Sequence, residues 1–320
     1  MEMLIQNAQG ATIDVSQIVS NITWTTHLED DPGRLTFDLV ETGLILEEGS
    51  VVSFKFEGKD VFLGYIFTRR RTPSKITQIT AYDSIRYLKS KDTRVFDAST
   101  SPDVFSTLCK HLELNYKIVD NSTFKVAEVV HDNKSYYEMM KYAFDRTLIG
   151  TEEMFFVRDN FGILEHCAVS QQLTNLFIGD ESLMTNFTFE SSINNETYNQ
   201  IKLIQENQET VRRDVYMVRD GENIRKWGLL QFFESVDENM NEAQIKEKAH
   251  QLLSLKNRKT RTLRLTCLGD LRLRAGSGFT LGIRQLDGEN IPANQPVFIT
   301  SCRHTWRGGV HMMDLSVRIL

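Results

Sequence analysis

The chain has only four cysteines, Cys109, Cys167, Cys267 and Cys302, and no two of them form a C-x-x-C pair. This argues against a disulfide framework or a zinc knuckle and leaves four buried thiols as the simplest reading. No apolar run approaches the roughly 18 residues that a membrane-spanning helix needs. Met1-Glu2-Met3-Leu4 does not lead from a basic segment into an apolar one, so the expectation is a chain without a secretory signal, made and kept in the cytoplasm unless something carries it out. An excess of positive charge is also missing. Against 43 Asp and Glu stand 37 Lys and Arg, a formal net charge of −6, which disfavours a protein that coats nucleic acid. There is no G-x-x-x-x-G-K, no H-E-x-x-H and no G-x-S-x-G, so phosphate-loop, zinc-protease and serine-hydrolase chemistry have no motif to rest on.

What is present is an ordinary globular composition, 41% hydrophobic and 25% charged over 320 residues, enough for about two or three domains with their own cores. The clearest signals lie between Trp227 and Leu320. Asn241 with Gln244 three residues on has capping-box spacing, and Ile245, Ala249, Leu252 and Leu253 follow at helical intervals, predicting a helix over about 241–256. The period then changes to two, with Leu263, Leu265 and Cys267 alternating with Thr262, Arg264 and Thr266. Leu271 and Leu273 continue the alternation, Gly276-Ser277-Gly278 reverses the chain, and Phe279, Leu281 and Ile283 follow. A final hairpin, Val297–Trp306 with Val310–Ile319, turns at Gly308-Gly309. That turn fixes a register with Trp306 opposite His311, His304 opposite Met313, Cys302 opposite Leu315 and Arg303 opposite Asp314.

At the other end, Ile22, Trp24, Thr26 and Leu28 alternate up to the turn Asp30-Asp31-Pro32-Gly33, and Leu35, Phe37 and Leu39 return. Strands follow at 51–56, 61–66 and 76–82, with Arg69, Arg70 and Arg71 read as a solvated loop or, alternatively, a surface for an acidic partner. From Thr93 the character is mixed. Ser101-Pro102 reads as the start of a helix carrying Val104, Phe105, Leu108 and Leu112, and Ser135 with Glu138 starts a second one. Strands Met154–Arg158 and Ile163–Cys167 flank the turn Asp159–Gly162. From Asn186 strand patterns return, at Phe187 and Phe189, Tyr198–Ile204 and Val211–Val218. The two ends also echo each other, Gly49 to Phe54 with Gly276 to Leu281, and Val61-Phe62-Leu63 with Val297-Phe298-Ile299. The expected fold is a β-rich α+β chain: a first antiparallel β-barrel over 1–92, a small α+β domain over 93–185, and a second, related barrel with the inserted helix over 186–320.

Candidate chemistry is sparse. Cys302, His304 and His311 share a hairpin face and are a formal zinc set, but Trp306, Met313 and Leu315 on the same face favour two imidazoles satisfied within a core. Glu165-His166-Cys167 looks catalytic on paper, yet on a strand His166 points away from Cys167. Gly276-Ser277-Gly278 lacks the following helix that would bind phosphate. The basic residues from Lys256 to Arg274 read either as the polar face of alternating strands or as phosphate contacts. The expectation is no catalytic, cofactor-binding or metal residue.

Over nearly its whole length the chain resembles the XkdQ/YqbQ-type hub proteins of PBSX-like prophages and phage-tail-like bacteriocins. The resemblance is carried by Gly64, Thr80-Ala81-Tyr82-Asp83, Tyr87-Leu88, Tyr198-Asn199-Gln200-Ile201, Trp227-Gly228-Leu229-Leu230-Gln231, Ala249 with Leu252-Leu253, Leu268-Gly269-Asp270-Leu271-Arg272, Ala275-Gly276 and His311-Met312-Met313. It implies a homotrimeric structural hub at the baseplate of a contractile injection system, similar to the centre of myophage tails and the base of type VI secretion spikes. It implies a place between the hexameric tail tube and the trimeric spike protein, with other baseplate proteins and the tape measure as further partners. DNA would be met only in passing through the lumen. The family brings no shared catalytic residues and no cofactor. Two other readings stand beside it: an oligonucleotide-binding barrel, and a tail-associated peptidoglycan hydrolase, which needs two carboxylates at a set separation.

Overall fold

A computed structural model describes residues 1–7, 9–40, 46–71, 73–194, 196–207, 212–236, 240–289, 291 and 294–319. The expected start of one strand at Val211 lies outside them. The chain divides into two compact units, one of residues 1–188 with 264–320 and one of residues 189–263.

In the larger unit, alternation of apolar and polar residues produces strands wherever the sequence shows it. Leu35, Phe37 and Leu39 of strand Arg34–Val40 are buried, while Arg34 and Val40 at its ends are exposed. This strand pairs antiparallel with Val19–His27 on one side and Ile76–Tyr82 on the other. Strand Lys59–Arg71 joins Ile76–Tyr82 and then Val51–Phe56, which pairs with Glu2–Gln6. It is longer than the sequence pattern predicts. Arg69, Arg70 and Arg71 lie in the strand opposite Ile79, Gln78 and Thr77 and not in a loop, because an exposed strand end needs no apolar residue to hold its ladder.

The final hairpin has the register that its turn dictates. Trp306 faces His311, His304 faces Met313, Cys302 faces Leu315 and Arg303 faces Asp314. Gly308 and Gly309 have φ of 58° and 79°, the left-handed pair that a tight two-residue turn requires. Its strand Gln295–Arg307 also pairs antiparallel with Val19–His27, so both ends of the chain share one sheet. Between Leu268 and Gly278 there is no strand. Leu273 is buried and Arg272 exposed in a turn segment, where alternation alone suggests a ladder.

Strand order repeats within this sheet. Strands Val19–His27, Arg34–Val40, Val51–Phe56, Lys59–Arg71 and Ile76–Tyr82 lie in the spatial order first, second, fifth, fourth, third. Strands Met184–Ser192, Thr260–Leu268, Gly278–Gly282, Gln295–Arg307 and Val310–Ile319 lie in the same order. The pairings of the described residues leave the sheet open, without a closed barrel. The expected match of the glycine segments holds, since Gly49 and Gly276 have φ of 88° and 87°. The Val-Phe match is out of step. Gly49 N–H donates to Ile66 C=O and Ile66 N–H to Ser50 C=O, while Gly276 N–H donates to Ile299 C=O and Ile299 N–H to Ser277 C=O. Ile66 therefore corresponds to Ile299, and Val297 to Gly64 instead of Val61.

Residues between about 84 and 172 form an α+β region around helices α1 (Ser101–His111) and α2 (Tyr136–Thr151). The cap of α1 is Thr100, one residue before Ser101, because Asp103 completes its capping box. The cap of α2 is Ser135 with Glu138, as the sequence predicts. The two helices bury Phe105, Leu108, Met139, Met140 and Ala143 against strands Phe155–Asp159 and Leu164–Ala168.

The smaller unit packs a three-stranded sheet on a helix. Gln200–Asn207 is central, antiparallel to Arg212–Arg219 and parallel to Gln231–Val236. Helix α3 (Gly221–Trp227) is capped by Asp220, a turn signal in the sequence. Helix α4 (Glu242–Lys256) has the predicted Asn241 and Gln244 box and buries Ile245 and Ala249 on Ile201 and Leu203.

Candidate functional site

The hairpin histidines are held as core. His304 is fully buried and stacks on Trp24 at 5.3 Å, and Trp306 stacks on His311 at 4.4 Å. His304 Nε2 lies 2.8 Å from Leu273 C=O and its Nδ1 2.9 Å from His311 Nε2. A carbonyl only accepts, so His304 donates from Nε2, and its Nδ1 then accepts from His311 Nε2–H. Both His304 nitrogens are spent within the protein. Burial first, with His311 adding a little, pushes its pKa down to about 4, so it is neutral at pH 7. Cys302 offers its thiol to the same Leu273 carbonyl at 3.7 Å, and burial drives its pKa up. Among the described residues no three His, Cys, Asp or Glu side chains gather as a metal set.

His166 and Cys167 face opposite ways. His166 sits among Phe105, Phe144 and Phe155, whereas Cys167 packs on Leu28, Phe156 and Phe298. Sequence reasoning missed the true partner of His166. Its Nδ1 donates to Asp120 C=O at 2.7 Å, which leaves Nε2 to accept from Ser101 Oγ at 3.2 Å. Ser101 and His166 are both fully buried, so this pair ties α1 to its sheet and offers no nucleophile to a substrate.

Gly276-Ser277-Gly278 is a packed turn. A side chain on Gly276 would meet the Phe156 ring at 2.2 Å, and Ser277 Oγ accepts from Arg274 N–H. Three members of the basic run have partners of their own. Lys256 pairs with Glu196 and lies over the Tyr198 and Phe232 rings, Arg272 pairs with Asp270 at 2.6 Å, and Arg274 turns inward. Arg69 pairs with Glu48 and also donates to Leu46 C=O.

Arg274 belongs to a buried charged junction that the sequence did not disclose. It donates to Asp159 C=O at 3.0 Å. Asp159 accepts from Gly162 N–H and Ser84 N–H, and Asp83 from Gly33 N–H at 2.9 Å and Ile85 N–H at 3.1 Å. Glu165 takes Arg158 at 2.8 Å and Asn160 at 3.0 Å. Burial, reinforced by Asp159, pushes the Asp83 carboxyl well above the usual range, and burial raises Asp159 too. Burial lowers Arg274 to about 10. Burial alone would raise Glu165, but its bonds from Arg158 and Asn160 outweigh that and hold it low. Asp83, Asp159, Arg158 and Arg274 line a cavity of about 20 Å³, room for one water and for no sugar or nucleotide. The arrangement locks the first sheet, the α+β region and the 273–278 turn together.

The chain is similar to several known proteins. Protein YqbQ of Bacillus subtilis (strain 168) is 25% identical over 85% of this chain and 82% of its own length. Phage-like element PBSX protein XkdQ of the same organism is 22% identical over 87% and 83%. Among solved structures, the 43 kDa tail protein of prophage MuSo2 from Shewanella oneidensis matches with a TM-score of 0.71 at 12% identity, covering 99% of this chain and 98% of that one. An Escherichia coli type VI secretion system component, described as structurally similar to T4 tail proteins gp27 and gp5, matches with a TM-score of 0.55 at 10% identity, covering 95% and 74%. The family model for YQBQ-like proteins matches residues 22–318, nearly the whole chain, and the chain belongs to that family.

Proposed function

We propose that this chain is a structural hub of the baseplate of a contractile tail, phage or phage-tail-like bacteriocin, acting as a homotrimer and without catalysis of its own. The observation that carries the reading is the repeated five-strand order within one sheet, in a fold shared along its full length with a prophage tail protein. Each chain supplies two similar strand sets, which we propose to be barrel-like domains over 1–92 and 186–320, and one α+β domain proposed over 93–185. Three copies then present six similar sets around an axis but only three α+β domains. Six near-equivalent sets match a hexameric tail tube, and the features that occur once per chain match a trimeric spike. The symmetry change is thereby built into one polypeptide. Tube, spike and neighbouring baseplate proteins are the partners, and the tape measure passes close by. The test is the ratio of this chain to spike protein in purified tail particles. The reading expects three to three, and a ratio of six to three or one to three contradicts it.

A further inference from the structure

The repeat exposes an edge that is filled in one half of the chain and, among the described residues, not covered by a strand in the other. Strand Gln295–Arg307 has an irregular step between Ile299 and Ser301, and strand Lys59–Arg71 has one between Ile66 and Thr68, at the matching place. Beyond the step, Cys302 Sγ reaches Leu273 C=O, and at the corresponding position Arg69 reaches Leu46 C=O. The residues after each step therefore correspond one to one: Thr68 with Ser301, Arg69 with Cys302, Arg70 with Arg303. In the second set this segment is covered by the first strand of the first set, with Ser301 opposite His27, Cys302 opposite Thr26 and Arg303 opposite Thr25. In the first set, Val51–Phe56 pairs only as far as Tyr65, and among the described residues no strand covers the same side of Thr68–Arg70.

The strand that would fill the gap also has one uncovered edge among the described residues. Met184–Ser192 is the terminal strand of the sheet, with its outer edge open among the described residues. Its segment Thr185-Asn186-Phe187-Thr188-Phe189 matches Ser20-Asn21-Ile22-Thr23-Trp24 position by position. In both, the inward and outward alternation slips by one at the asparagine. Ile22 and Trp24 are buried, whereas Phe187 and Phe189 are only half-buried, two aromatic rings incompletely covered on an open edge. Transferring the observed pairing through these correspondences sets Arg70 opposite Glu190, Arg69 opposite Ser191 and Thr68 opposite Ser192. Arg70 and Glu190 are both exposed and opposite in charge, the combination that favours a directly facing pair.

We infer that the Thr68–Arg70 edge of one copy receives the Met184–Ser192 strand of a neighbouring copy in antiparallel register, Arg70 facing Glu190. This rests on the trimeric reading above and supplies its subunit contact. The contact joins unlike edges, so it passes from copy to copy and closes into a ring only when the rotation allows. It also removes two open strand edges at once. Leu28 N–H donates to Thr300 C=O in the filled half. Hydrogen-bonded pairs alternate along a ladder, so Arg303 and Thr25 form a non-hydrogen-bonded pair, the closer kind, and Arg70 with Glu190 inherits that spacing.

The test joins Arg70→Cys and Glu190→Cys in one full-length chain, at high chain concentration under mild oxidation. The four natural cysteines are buried and leave the background low. The expected result is a set of linked species that stops at three chains, with none from either single variant and none when Thr185→Cys replaces Glu190→Cys. Linked pairs from Arg70→Cys alone overturn the inference, since like residues then meet across a two-fold axis. Absence of linked species from the double variant overturns it equally, whether the sample is trimeric or monomeric by native mass. The trimeric reading survives that outcome if tail particles still carry three copies, and falls only if they do not.

Discussion

His304 shows how a single side chain in this fold couples to pH. Its folded pKa of about 4 lies below the ordinary value of 6.5, so the unfolded chain binds the proton more readily. Stability is therefore full above about pH 6.5 and declines as pH falls towards 4, by up to about 3 kcal/mol from this group. Urea unfolding at pH 7 and pH 4.5 should show the decline, and His304→Gln should flatten it. An unchanged slope in that variant contradicts the assignment. Asp83 is the second residue on which the core turns, because it accepts from Gly33 and caps the 3₁₀ turn Ser84–Lys89. Asp83→Ala leaves the buried Gly33 N–H without a partner and should cost about 2–3 kcal/mol in denaturant unfolding. A loss below about 0.5 kcal/mol would show that the junction is not structural. Sequence gave access to the first of these residues and not the second. His304 is placed by a hairpin register that Gly308-Gly309 imposes, a purely local matter. Asp83, Asp159 and Arg274 meet from three distant segments, and each looks in sequence like an ordinary polar residue beside a turn.

Among the elements, those that carry their own signals were legible. Helix α2 begins at Ser135 because the hydroxyl and Glu138 satisfy each other's backbone groups, and Ser135→Ala should lower stability by about 1 kcal/mol in thermal or urea unfolding. No measurable change would mean that tertiary packing alone holds that end. The elements that escaped notice are those whose pattern is set from outside. Arg69–Arg71 extends a strand because the partner Ile76–Tyr82 runs alongside, not because arginine favours it. Helix α3 was hidden behind Asp220-Gly221, a pair that signals a turn as readily as a helix start. The segment Gly269–Gly278 alternates like a strand but folds as a turn around Leu273, whose carbonyl accepts from His304 Nε2–H and Cys302 Sγ–H. The repeat was visible at its glycines, where positive φ restricts the residue choice. It was misread in the Val-Phe strands, where any apolar residue of suitable size serves.

At the level of the whole molecule, the recurring strand order organises the long sheet. Two strand sets linked through Val19–His27 and Gln295–Arg307 already contain one copy of the contact proposed between neighbouring chains. The α+β region and the smaller unit occupy connections where the framework tolerates insertion: the first follows the fifth strand of the first set, and the second interrupts the second set between its first two strands. In the proposed trimer, keeping the strand order while varying these connections would let one chain present a near-uniform face to a ring and a distinct face to another partner. The most direct measurement is an electron cryomicroscopy reconstruction of an assembled baseplate, solved without imposed symmetry. The account predicts three copies of this chain around the axis, giving six similar strand sets that alternate between first and second, with Arg70 of each copy facing Glu190 of the next. A hub with other than three copies, or with only one strand set per chain in the ring, would contradict it.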